Sequence, residues 1–247
     1  MCCHPKSSLT SAVQAAGLIG RRFCLETGHD LSKSRTEKVL VAEVRKKRPL
    51  KAWLSVPCTA WSSAQNGNKK SKKQRRQLKR KRAESQSLLK KALAILGEIV
   101  NDPTADAYFE WPANCHGWQV PELKAFRAHC AALGRPVHRV LVHGCAYGLR
   151  SQASPGKFLR KAWAIETTDP AFQESVGKKC PGNHHHQIIM GKDTAYSAYY
   201  PPRMARAIAR QRWRGPWGRR RGLSPAFWRF LLAGRAGRSG PLPDTKL

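Results

Sequence analysis

Four short apolar runs, at residues 51–56, 108–110, 137–142 and 162–167, are separated by segments whose apolar residues recur at helical spacing. This alternation is the strongest restriction on the fold. Strands that alternate with helices are joined by crossovers, so the expected class is α/β, with a largely parallel open sheet and helices on both faces. The helical segments carry recognisable ends. Ser7 or Ser8 can cap a first helix bearing Leu9, Val13 and Ala16, and Gly17 stops it. A brief strand at 23–25 and a mixed-charge helix at 37–47, with Val41 and Val44 inward, precede the run at 51–56. Pro121 opens and Gly134 closes a later helix, and a last helix is expected over 204–212.

Charge divides the chain differently. Lys and Arg number 46 against 15 Asp and Glu, a formal charge of +31, and such self-repulsion calls for an anionic partner. DNA or RNA is the first candidate. Between positions 69 and 82 stand ten basic residues and no acid: Lys69, Lys70, Lys72, Lys73, Arg75, Arg76, Lys79, Arg80, Lys81 and Arg82. The block passes into Leu88, Leu89, Ala92, Leu93, Leu96 and Val100, an apolar helical face. The expectation is one helix that starts as a solvated, phosphate-binding arm and ends packed on the sheet. Trp61, Trp111 and Trp118 lie near enough in sequence to offer stacking platforms for unpaired bases. Residues 213–247 are rich in Arg, Gly and Pro, and are expected to form a disordered basic tail behind an α/β domain at 1–212.

No apolar stretch reaches the length of a spanning helix, and none at the N-terminus reads as an export signal, so a nuclear or otherwise intracellular, non-secreted, non-membrane protein is expected. Its eight cysteines are then reduced thiols. Cys58 stands out among them. It follows Pro57 where the run at 51–56 ends, and proline cannot donate to a ladder, so Cys58 heads a loop at a strand's carboxyl end. In open parallel sheets chemistry gathers there, which makes the thiol a candidate nucleophile; the competing reading is a small buried hydrophobe.

Three landmarks follow in order: Pro57-Cys58, then Phe109-Glu110-Trp111-Pro112, then Tyr147-Gly148-Leu149-Arg150 leading to Arg160-Lys161-Ala162-Trp163-Ala164-Ile165. This order resembles the cytosine-5 DNA methyltransferases. The resemblance implies a Rossmann-like scaffold, with Cys58 adding to carbon 6 of a flipped-out cytosine, Glu110 partnering the ring, and Arg150, or else Arg160, supplying the guanidinium. Arg160 and Lys161 are also placed among the nucleic-acid contacts. As a whole the chain is similar to a group of proteins associated with mobile elements in dinoflagellate genomes, which share these landmarks and a downstream Cys-Pro-Gly and His-His.

The departures bear on activity. The family's Phe-x-Gly-x-Gly cofactor loop follows a first, central strand, whereas this sequence begins Met1-Cys2-Cys3-His4-Pro5-Lys6. The sheet is therefore expected to be incomplete at its N-terminus, with two unpaired edges, no pocket for S-adenosylmethionine and no methyl transfer. What remains is a nucleic-acid-binding protein on a degenerate scaffold; an active methyltransferase that uses S-adenosylmethionine is the alternative if a cofactor strand exists. A second cluster, Cys180, His184 and His186, suits zinc, with Cys145, His143 and Cys130 as possible fourth ligands.

Overall fold

A computed structural model describes residues 7–66, 71–211 and 229–234. In chain order the elements are α1 (Ser8–Ala15), β1 (Ile19–Cys24), α2 (Ser34–Lys47), β2 (Lys51–Ser55), α3 (Lys72–Val100), β3 (Asp106–Pro112), α4 (Pro121–Ala132), β4 (His138–His143), β5 (Phe158–Leu159), β6 (Ala162–Thr167), α5 (Phe172–Val176), β7 (His186–Gln187), α6 (Lys192–Tyr196), α7 (Pro202–Arg210) and β8 (Arg229–Gly234).

Six strands make one mixed, mostly parallel sheet in the order β1-β8-β2-β3-β6-β4. β1, β8, β2 and β3 run parallel, and β6 is antiparallel to both β3 and β4. Alternation of side chains assigns the two faces. Ala52 and Leu54 of β2, with Ala107, Phe109 and Trp111 of β3, meet Leu40 and Val44 of α2, Leu89 to Val100 of α3 and Leu123, Phe126 and Cys130 of α4. Trp53, Tyr108, Trp163 and Ile165 face the other way, onto Leu9 and Val13 of α1, Phe172 of α5 and Met204 and Ile208 of α7. Helices thus cover both faces, as the alternation predicts.

Local chemistry fixes the ends. Ser7 Oγ accepts from the Thr10 amide at 3.4 Å, and a reciprocal box of Ser71 and Gln74 starts α3. Proline stands in the first turn of α4 and of α7. On the α4 face of the sheet, Arg127 grips the buried Glu166 of β6 through two bonds of 3.0 and 2.8 Å and Arg139 of β4 adds a third at 3.3 Å, which together satisfy a carboxylate at that depth.

The sheet corrects one expectation. α2 carries the chain from β1 past one strand position to β2, and the vacancy is filled by β8, from the segment expected to be a disordered tail. Neither β1 nor β2 has the open edge anticipated between them. Of that tail, residues 213–228 and 235–247 lie outside the described residues. Among the described residues no helix is long and apolar enough to cross a membrane.

Candidate functional site

The carboxyl ends of the parallel strands meet on one rim. Register places Cys24, Gly234 and Ser55 side by side, and the β2–β3 pairing, with Leu54 opposite Phe109, brings Ser55 next to Glu110. Ser55 Oγ donates to Glu110 Oε2 at 2.7 Å, and the Tyr200 hydroxyl donates to the same oxygen at 2.8 Å. Trp53 Nε1 in turn donates to the Tyr200 oxygen at 3.1 Å. Glu110 is only 3 % exposed, so these donors are what allow a carboxylate at that depth. Burial, reinforced by the Glu110 charge, pushes the Tyr200 phenol well above its usual range, and it stays a donor.

Cys58 sits where the strand-end argument places it, heading a turn of 3₁₀ helix, Thr59–Trp61, whose Trp61 amide donates to the Cys58 carbonyl at 2.9 Å. Trp111 Nε1 holds the Val56 carbonyl at 2.8 Å, which fixes the exit from β2. The thiol is half-buried. Burial raises its pKa first, the Glu110 charge raises it further, and Lys161 lowers it. The net shift is upward, so Cys58 is a thiol at neutral pH and not a preformed thiolate. Alkylation by iodoacetamide, followed residue by residue by mass spectrometry, should therefore be slower at Cys58 than in a free peptide at pH 8. Glu110→Gln should speed it and Lys161→Gln slow it; equal rates in both variants would remove these charges as the cause.

The resemblance's guanidinium is not delivered. Arg150 donates to the Gly156 carbonyl at 2.6 Å and lies 4.1 Å over the Phe158 ring, in a turn of its own. Arg160 is exposed and acts on His143 and His186. Among the described residues the cation whose charge acts on Cys58 is Lys161, half-buried just before β6, which the sequence had suggested only as a phosphate contact. Ser55 and Tyr200 were missed altogether. Ser55 is the last residue of β2, a position that could have been flagged; Tyr200 comes from a loop with no periodic signal.

The basic arm and the cysteine loop are one unit. Arg82 donates to the Ala60 carbonyl at 3.2 Å and lies 5.3 Å over the Trp61 ring, while Trp61 Nε1 donates to Ser85 Oγ at 2.9 Å. From that anchor α3 runs back through exposed Lys81, Arg80, Lys79, Arg76, Arg75, Lys73 and Lys72; Lys69 and Lys70 lie outside the described residues. Arg80 has a long 3.5 Å ion pair with Glu84, both well exposed. The tryptophans are not open platforms: Trp111 and Trp118 are core residues at 1 % and 3 % exposure, and Arg82 lies over Trp61.

A second cluster lies beyond β4. Cys145, Cys180, His184 and His186 bring four donor atoms within 4.8 Å of one another, so of the three possible fourth ligands Cys145 is the one supplied. His143 instead accepts the Cys180 amide on Nδ1 at 3.0 Å, and Cys130 belongs to the core on the opposite face. No protein-family model, no curated protein and no solved structure matches the chain, so the reading of both sites stands on their own geometry.

Proposed function

We propose that the chain is a nucleic-acid-binding protein on a Rossmann-like, cytosine-5 methyltransferase-like scaffold, with a mobile-element origin in keeping with the similarity in sequence. The observation that carries this reading is the anchorage of the basic arm on the Cys58 loop through Arg82, Trp61 and Ser85. A phosphate backbone laid along the arm is led to the rim where the charges of Glu110 and Lys161 act on Cys58. Three features favour holding over turnover: the raised thiol, Glu110 Oε2 already accepting two hydrogen bonds, and Arg150 engaged elsewhere.

A second reading, methyl transfer, gains from β8. The resemblance requires a central parallel strand leading into a glycine loop. β8 is central and parallel, ends at Gly234, and is followed in sequence by Arg235-Ala236-Gly237, a Gly-x-x-Gly in place of the family's Phe-x-Gly-x-Gly. Ligands of open α/β sheets bind in the crevice outside such strand ends, and Glu26, just past β1, is an acceptor suited to ribose hydroxyls there. Glu110 Oε1, to which no described residue donates, is the oxygen left for a base ring. DNA carrying 5-fluorocytosine, incubated with S-adenosylmethionine, separates the readings. A covalent adduct absent from Cys58→Ala establishes transfer; nucleic-acid binding that is unchanged in Cys58→Ala, without adduct and without calorimetric cofactor binding, leaves the binding protein.

A further inference from the structure

We propose that Cys145, Cys180, His184 and His186 hold one zinc ion in a closed structural site. This is independent of whether the chain binds nucleic acid. Three of the donor atoms already have the spacing of a tetrahedron around zinc, and Cys145 Sγ lies within 4.8 Å of each of them. With Zn–S near 2.3 Å and Zn–N near 2.05 Å, tetrahedral geometry puts sulfur about 3.6 Å from nitrogen and the nitrogens about 3.3 Å apart. Cys180 Sγ is 3.6 Å from His184 Nε2 and 3.5 Å from His186 Nε2, and the two Nε2 atoms are 3.1 Å apart.

The surroundings prepare these atoms as ligands. Asn183 Oδ1 lies 3.1 Å from His184 Nδ1, where it takes that proton and leaves the Nε2 lone pair for a metal. The Gly182 amide donates to Cys180 Sγ at 3.3 Å, a bond that favours thiolate, and Gly182 reaches it with a φ of 79°, open to glycine at no steric cost. His185 is exposed and turned out of the cluster, so alternation along the chain selects His184 and His186 together. Charge balance agrees. Two thiolates cancel the 2+ of zinc, giving a neutral centre among Lys178, Lys179 and Arg160, where a bare cation on imidazoles alone would be repelled. Four protein ligands leave no open position for substrate, which marks a structural ion and not a catalytic one.

The ion would join the turn at Gly144–Tyr147 to the loop before β7. That loop is otherwise tied to His143 by the Cys180 amide and the Lys178 carbonyl, to β5 by the two-residue pairing of Phe158 with His186 and Leu159 with Gln187, and to the Phe158 ring by His184 at 4.1 Å. Arg150 lies 4.1 Å over the same Phe158 ring, so the ion would also steady the turn that carries Arg150.

The test uses full-length protein without a histidine tag. Elemental analysis after extensive dialysis should give one zinc per chain, and cobalt exchanged into the site should show thiolate charge-transfer absorption in the near ultraviolet with d–d bands of tetrahedral intensity. Cys145→Ser and Cys180→Ser should each reduce zinc several-fold, while Cys145→His, which keeps four ligands, should retain it and lose part of the charge-transfer band. Wild-type protein that holds less than about a tenth of an equivalent and gives no cobalt spectrum overturns the site; full zinc with an unchanged cobalt spectrum in Cys145→Ser overturns the ligand set. Should the serine variants not fold, the wild-type stoichiometry and cobalt spectrum decide alone.

Discussion

A chain ended at residue 211 should lose cooperative thermal unfolding and bind hydrophobic dyes, while the full chain melts in one transition. β8 lies between β1 and β2, with residues 230–234 paired on both sides, so its removal exposes two facing ladders in the middle of the sheet and not at its margin. A milder form of the same test is Leu231→Pro. In a strand with partners on both sides the amide of any residue points at one neighbour, so proline breaks a ladder bond whichever way residue 231 faces and should lower the melting temperature. A disordered tail would give the opposite result. If the truncated chain melts within a degree or two of the full one, β8 is not a member of the sheet.

Why that strand escaped the sequence reading is a matter of physics. β2 announces itself because an apolar run ends in Pro57 and helices of clear period stand on either side. β8 is six residues, Arg229-Phe230-Leu231-Leu232-Ala233-Gly234, set among Arg, Gly and Pro. A central parallel strand need display no alternation, and what makes this one a strand is a pairing with residues roughly 180–210 positions away. Cys58 was legible because it follows a strand end, and Glu110 because alternation within a strand, which runs to Pro112 and not only to Glu110, fixes the face it takes. Arg150 was not, since a turn residue's direction is decided by partners such as Phe158 and the Gly156 carbonyl that carry no local signal. The zinc cluster lies between these cases: Cys180, His184 and His186 are close in sequence, but Cys145 is supplied by the turn after β4 and only the fold selects it over His143 and Cys130.

Replacing Lys72, Lys73, Arg75, Arg76, Lys79 and Arg80 together by Gln should weaken binding of single- or double-stranded DNA by about 10³–10⁴-fold near 0.15 M salt, if each of the six neutralises one phosphate. In the same measurement the slope of log K against log salt should become shallower by about 4–5, since each lost contact removes ~0.7 for single strands and ~0.9 for duplex. Glutamine is chosen because its helix propensity is close to that of Lys and Arg, so α3 keeps its form while the charge goes. Arg82 stays, because it holds the Ala60 carbonyl and lies on Trp61, and its loss would confuse charge with the position of the Cys58 loop. The arm also pays for its charge in the free protein. Basic residues recur three and four apart along it, each such pair destabilising the helix by ~0.2–0.5 kcal/mol, and Glu84 is the first acid that follows. Bound phosphate relieves that repulsion, so a polyanion should raise helical circular dichroism in the wild type and leave the Gln variant unchanged. A complex equally strong at low and high salt would remove the arm as its anchor, and the Cys58 rim would then have to bind nucleic acid without it.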